Sequence, residues 1–143
     1  MLTTKQQYSC SGLADDNPAR YLKAAEVRRQ VAEAPGKRIR VAGASGPSAR
    51  AHLAKYPRTF KNTEELELDS RTPRQEYPVL ATGSWNPTQP NTAGNARAIY
   101  YNRDRTVFNV AYHDPNKSDD TGKNFSIAPY RPAANARHGE PPK

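Results

Sequence analysis

The sequence has little of what builds a large core. Leu, Ile, Val and Phe supply only nineteen of its 143 residues and the net charge is +8, which puts the chain near the compositional border of disorder. Mean hydropathy is −0.98. At this length the chain holds one modest domain, and a large enzyme core is not expected. No apolar run approaches the ~18 residues of a helical membrane span, so a helical transmembrane protein is excluded and no membrane partner is expected. Cys10 is the sole cysteine, which rules out an internal disulfide and any zinc site built on paired cysteines. His52, His113 and His138 lie far apart, and neither a metal nor a cofactor is expected. Asp114, Asn116 and Ser118 alternate like the start of a calcium loop, yet Asp119 stands where that loop needs glycine. Gly122-Lys123 lacks the earlier glycine and the following Ser or Thr of a phosphate-binding loop. No basic segment followed by an apolar one opens the chain, so the expectation is either a cytosolic protein or a mature secreted one whose signal was removed.

Charge is unevenly spread. Residues 1–55 carry ten Lys or Arg against four Asp or Glu, residues 56–130 nine against nine, and residues 131–143 three against one. The basicity belongs to the N-terminal part and the tail. It suits either docking of a polyanion, RNA being the commonest, or a solvated helix face and a soluble end.

Asp15-Asp16-Asn17-Pro18 supplies a cap followed by proline in the first turn. Tyr21, Ala24, Val27, Val31 and Ala34 recur at helical spacing and Pro35-Gly36 stops the pattern. This predicts an amphipathic helix over about 17–34, with Arg20, Lys23, Arg28 and Arg29 on its wet side. Arg38-Ile39-Arg40-Val41 alternates like a strand, Gly43 to Pro47 breaks it, and residues 48–55 read as a helical turn. From Tyr56 the texture changes to runs of period two at 56–60, 65–69, 75–81, 96–102, 106–112 and 124–128. Residues 82–95 and 114–123 read as long loops, which in so small a domain usually bind something. The expected fold is α+β, one N-terminal amphipathic helix packed on a twisted antiparallel sheet. It forms a single domain over 1–130, with the sheet at about 56–128 and a polar, disordered tail over 131–143.

Several of these runs carry residues suited to phosphoryl chemistry: Tyr56 and Arg58, then Glu76, then Arg97, then His113. Alternation places Tyr56, Arg58 and Phe60 on one face of their strand. A carboxylate, guanidinium groups and an imidazole on adjacent strands are what cleavage of RNA without a metal requires. A base takes the 2′-OH proton, an acid protonates the departing 5′ oxygen, and fixed cations hold the charge on the pentacoordinate phosphorane. Trp85 either anchors the long loop or stacks a base.

The local sequences sharpen this. Tyr56-Pro57-Arg58-Thr59-Phe60-Lys61-Asn62-Thr63-Glu64, Gln75-Glu76-Tyr77-Pro78-Val79-Leu80, Asn95-Ala96-Arg97-Ala98-Ile99-Tyr100, Ala111-Tyr112-His113 and Lys123-Asn124-Phe125 follow in order along the chain. Together they resemble the motif blocks of the fungal guanyl-specific ribonucleases, a family that includes the ribotoxins and, more distantly, the barnase-like bacterial enzymes. The resemblance spans about 56–128. It implies Glu76 as general base, His113 as general acid, Arg97 and Tyr56 as stabilisers of the phosphorane, and Phe125, beside Asn124, as an apolar wall at the phosphate. Guanine recognition in the family uses the loop after the first catalytic strand, here Phe60, Lys61, Asn62, Thr63 and Glu64, whose glutamate accepts the N1 and N2 protons of the base. Glu64 reads equally as one charge on the wet side of a plain amphipathic strand.

Three departures from the family matter. Arg58 stands where the fungal enzymes carry histidine, and a permanent cation there makes Glu76 a weaker base, which predicts slowed chemistry with retained binding. The family's disulfide between the N-terminal strand and the C-terminus is missing, and since such a crosslink contributes roughly 2–4 kcal/mol, stability must be lower or come from elsewhere. The unpartnered Cys10 leaves an intermolecular disulfide open. The loop Lys117–Lys123 is enlarged and suits a particular RNA or protein partner, and the region from Arg38 to Lys55 suits an RNA-docking surface. The short segment between Phe60 and Glu76 argues against a dedicated ribotoxin. The expected function is a secreted endoribonuclease that cleaves single-stranded RNA, ribosomal RNA included, after guanine through a 2′,3′-cyclic phosphate. The alternative is a catalytically impaired ribonuclease-like effector, acting in a host cell, that binds host RNA or protein.

Overall fold

The computed structural model describes residues 6–41, 52–62, 65–89, 92–117 and 124–131. Among these the regular elements are, in chain order, β1 (Gln7–Ser9), β2 (Tyr21–Lys23), α1 (Ala24–Glu33), β3 (Arg40–Val41), β4 (His52–Leu53), β5 (Arg58–Phe60), β6 (Arg74–Pro78), β7 (Ala96–Tyr101), β8 (Asp104–His113), β9 (Phe125–Ile127) and β10 (Tyr130–Arg131). The expected α+β layout is borne out. Strands β5 to β9 form one antiparallel sheet in sequential order, β3 and β4 form a two-stranded ribbon, and β1 sits between β10 and β2 in a third sheet. No helix among the described residues is long and apolar enough to cross a membrane.

The helix starts later than its spacing predicts. Asn17 does cap a turn that carries Pro18 at its first position, accepting from the Ala19 N–H at 2.9 Å, but the turn is a single 3-10 turn over Pro18–Arg20. The backbone of Tyr21, Leu22 and Lys23 then pairs with Ser9, Tyr8 and Gln7. A strand partner outcompetes helical continuation there, leaving Tyr21 exposed while Ala24, Val27 and Val31 turn inward. The sequence gives no periodic hint of β1 or β10, because each is too short to alternate. Residues 52–53, expected in a helical turn, pair as β4 with β3 instead, and 48–51 lie outside the described residues. Residues 65–68 are not a strand. The Asn62 side chain accepts from the Leu66 N–H at 2.8 Å and donates to its carbonyl at 2.9 Å, consuming the backbone groups a ladder would need.

Alternation divides β6 to β8 into two faces. Tyr77, Ala96, Ala98, Tyr100, Phe108, Val110 and Tyr112 join Val27 and Val31 of α1 in the main core, where each large apolar side chain contributes about 1.5–3 kcal/mol on burial. Gln30 fastens the helix to the end of β6, donating to the Leu80 carbonyl at 2.7 Å and accepting from its N–H at 2.8 Å. Arg105 donates to the Val31 and Ala34 carbonyls at the helix C-terminus, where a cation complements the helix dipole. The opposite face carries a smaller cluster of Ile99, Ala111 and Phe125, covered by Phe60, Leu66, Leu68 and Ile127.

The two ends of the fold meet in the β1–β10 pair. Gln7 faces Arg131 and Tyr8 faces Tyr130, the two tyrosine rings meet edge to face at 5.2 Å, and the Ser9 N–H donates to the Pro129 carbonyl at 3.0 Å. Arg131, assigned above to the tail, is thus a strand residue, and 132–143 lie outside the described residues. Cys10 is fully buried, so an intermolecular disulfide has no exposed sulfur to form from.

Candidate active site

Strand register assembles the site. Arg58 lies opposite Glu76 and Glu76 opposite Ile99, so their side chains leave the sheet on one face. Two residues back on β7, Arg97 shares the face of Ile99 and sits opposite Ala111. Two residues on from Ala111, His113 shares that face opposite Phe125. Arg58, Glu76, Arg97, His113 and Phe125 therefore share one surface, with Ile99 and Ala111 as its floor.

Glu76 is buried, 4% exposed. Its Oε2 lies 3.4 Å from Arg58 Nε and its Oε1 3.7 Å from Arg97 Nε. Oε1 has no hydrogen-bond partner. The two guanidinium groups are the charge partners of this buried carboxylate. The two guanidinium groups differ. Arg97 is sunk in the structure: Nη1 donates to the carbonyls of Ala93, Gly94 and Ala96 at 3.2, 2.8 and 2.9 Å, and Nε and Nη2 donate to the Tyr56 hydroxyl at 3.3 and 3.0 Å. Arg58 keeps 45% of its side chain in solvent. Both guanidinium carbons lie 4.9 Å from the centre of the Tyr56 ring, a cation–π contact for each.

Tyr56 departs from its expected place on the strand. The ladder begins at Arg58, a cis peptide joins Tyr56 to Pro57, and the Tyr56 ring is buried in the main core. Tyr56 reaches the site through Arg97. Trp85 anchors the long loop: its buried ring meets Tyr56 and Tyr77 edge to face at 5.2 and 5.8 Å.

At the other end of the face the His113 ring lies over Phe125, centres 4.3 Å apart and 30° between planes. Its Nδ1 is 2.8 Å from Asn124 Oδ1. With that oxygen as acceptor Nδ1 carries a proton, and Nε2 is the nitrogen left to exchange one. Phe60 meets Phe125 edge to face at 5.9 Å, which brings the start of the 60–64 loop to this end. Lys61 is exposed, and Asn62 adopts a positive φ of 52° as it turns the chain onto Leu66. Thr63 and Glu64 lie outside the described residues, as do 118–123 of the enlarged loop.

Residues to which the sequence reading gave no part in the site hold this arrangement. Asn109 clasps the 65–69 segment, accepting from the Asp69 N–H at 2.7 Å and donating to Asp69 Oδ2 at 3.0 Å. Asp114, next to His113, accepts from Ser126 Oγ at 2.7 Å and from the Asn116 N–H at 2.9 Å. Burial works against its charge, but these bonds, with Lys117 nearby, hold its carboxyl below the ordinary aspartate value. Gly12 leaves no room for a Cβ beside the Asp114 carboxylate, which explains the glycine. Alternation on β7 and β8 marks Ile99 and Ala111, whereas contacts as distant in sequence as Asp69 with Asn109 leave no local signal. Among the described residues no group of three His, Cys, Asp or Glu side chains is arranged to hold a metal ion.

A family model described as ribonuclease matches residues 14–126. No curated protein and no solved structure matches the chain. The matched span takes in the helix, the five-stranded sheet through Ser126, and every side chain on the shared face, and the chain belongs to the ribonuclease family.

Proposed function

We propose that this ribonuclease cleaves single-stranded RNA after guanosine by metal-independent transphosphorylation to a 2′,3′-cyclic phosphate. The observation that carries the reading is Glu76: a buried carboxylate fixed between two guanidinium groups, its Oε1 beside the buried Arg97 and its Oε2 beside the half-exposed Arg58. Oε2, beside the half-exposed Arg58, is the acceptor offered to a substrate hydroxyl, and an acceptor within hydrogen-bond reach of the proton is the first requirement of a general base. Glu76 takes the 2′-OH proton, O2′ attacks phosphorus, and the O5′ bond breaks as His113 Nε2 delivers its proton to the leaving oxygen. Asn124 orients the imidazole, and Phe125 backs it.

The two arginines divide the electrostatic work. Arg58, half in solvent, meets the phosphate directly, while Arg97 supplies a fixed charge from behind Glu76. Charges locked in place before reaction are the effective ones, because they need no reorganisation at the phosphorane. Phe60 packs against Phe125 and Asn62 turns the chain two residues later, which supports Glu64 as the acceptor for guanine N1 and N2 protons, a donor pair that adenine does not present on that edge.

The test is cleavage of a guanosine-containing oligonucleotide in EDTA, reading cyclic-phosphate ends. Glu76→Gln and His113→Ala should each lose about 10²–10⁴-fold in rate. A wild type no faster than these variants removes the enzyme assignment, and a preference for adenosine that survives Glu64→Ala removes the guanine assignment alone.

A further inference from the structure

A groove of about 830 Å³ runs along the β5 edge of the sheet, between it and the β3–β4 ribbon. Lys37, Arg38, Arg40 and Arg58 line it, and no carboxylate does. Arg38 is fixed by donating Nε to the Ala54 carbonyl at 2.5 Å, which holds the side chain without neutralising it. Lys37 and Arg40 are exposed, and no carboxylate among the described residues pairs with either. Ile39 and Leu53, 42% and 46% exposed, are two of the three large apolar side chains left in water among the described residues, and both line this groove.

Cations interleaved with exposed apolar groups suit a single strand, whose phosphates and unstacked bases are both within reach. A duplex would offer its backbone and leave the apolar groups uncovered. Arg58 belongs to both groove and site, so a strand in the groove is continuous with one on Glu76. An in-line displacement puts the entering and leaving oxygens on opposite sides of phosphorus. The groove lies on the Glu76 side, and His113 stands across the sheet beside β9.

We propose that this groove is a subsite for the RNA strand on the 5′ side of the cleaved phosphate, with Lys37 and Arg40 taking phosphodiesters and Ile39 and Leu53 taking base faces. The direction of the strand rests on the roles given above to Glu76 and His113.

The test measures binding, by fluorescence anisotropy, of oligonucleotides made uncleavable by 2′-deoxyguanosine at the reacting position. A short probe is compared with the same probe lengthened at its 5′ end or at its 3′ end. The 5′ extension should tighten Kd about tenfold and steepen the dependence of log Kd on log salt by about 1.4, from about 0.7 for each of two phosphates on a single strand. Lys37→Ala with Arg40→Ala should abolish that gain and leave any gain from the 3′ extension in place. No 5′ gain, a 5′ gain that persists in the double variant, or an equal loss for the 3′-extended probe overturns the proposal. A groove that instead serves an acidic protein would leave every RNA Kd unchanged in the double variant. The probes cannot turn over, so failure here is separate from failure of Glu76→Gln to slow cleavage.

Discussion

Tyr56→Phe tests whether the Tyr56 hydroxyl works on the substrate or on Arg97. The ring stays, so its contacts with Trp85 and its place in the core are kept. What is lost is one oxygen that accepts from Arg97 Nε and Nη2. Leaving a buried charged donor without its acceptor costs about 2 kcal/mol. For a chain of this size that lowers Tm by about 8 °C. Released on one side and still held by three carbonyls on the other, the guanidinium should tilt by a fraction of an ångström and lower kcat about tenfold to a hundredfold. KM should hold, because the buried hydroxyl does not face the solvent side where substrate arrives. The assays are a thermal melt and steady-state cleavage, repeated in an Arg97→Lys background, where the further effect of Tyr56→Phe should shrink because the two residues act as a unit. An unchanged Tm with a reduced kcat would place the hydroxyl on the substrate and refute the reasoning. A reduced Tm with full kcat would refute the role of Arg97 orientation.

Burial pushes the Cys10 thiol up to about 12, with the Arg20 charge only partly opposing. A thiol-disulfide reagent at mild alkaline pH should therefore label native protein at least about a thousandfold more slowly than denaturant-unfolded protein, and rapid stoichiometric labelling of the native state would contradict the buried placement. Asp114, held below its ordinary value, contributes stability that is fully present above the unfolded aspartate range and is lost as pH falls through its lower folded value. In melts across the acid range, wild type should lose its advantage over Asp114→Asn as pH drops, and parallel curves for the two would exclude this linkage.

Much of the site was legible because a strand's period is exact enough to count. Glu76 and Arg97 sit in runs read as strands and His113 directly follows another, and the ordered blocks implied their roles by resemblance. Tyr56 was misplaced because alternation was carried back across Pro57, which has no N–H to give a ladder, and the strand starts only at Arg58. The sequence also could not separate Tyr21 from the helix, since its spacing fits and only the backbone of Tyr8 and Ser9, far along a different element, draws it into a strand. Leu66 and Leu68 alternate as strand residues do. What decides their state is the Asn62 side chain occupying the Leu66 backbone, a competition that hydropathy does not record. The groove along β5 depends on Leu53 meeting Arg40 across the ribbon, a pairing invisible until the segment between them folds.

The β1–β10 closure has a consequence for the conditions this enzyme can work in. The resemblance implies a disulfide between these two ends, a bond that a strong thiol reductant such as dithiothreitol can open. Here the fastening is amide hydrogen bonds and the edge-to-face tyrosines Tyr8 and Tyr130, and the one cysteine is buried and unpaired. A thiol reductant finds no bond to exchange with. The fold should be indifferent to redox poise, the same in millimolar dithiothreitol as in air-saturated buffer.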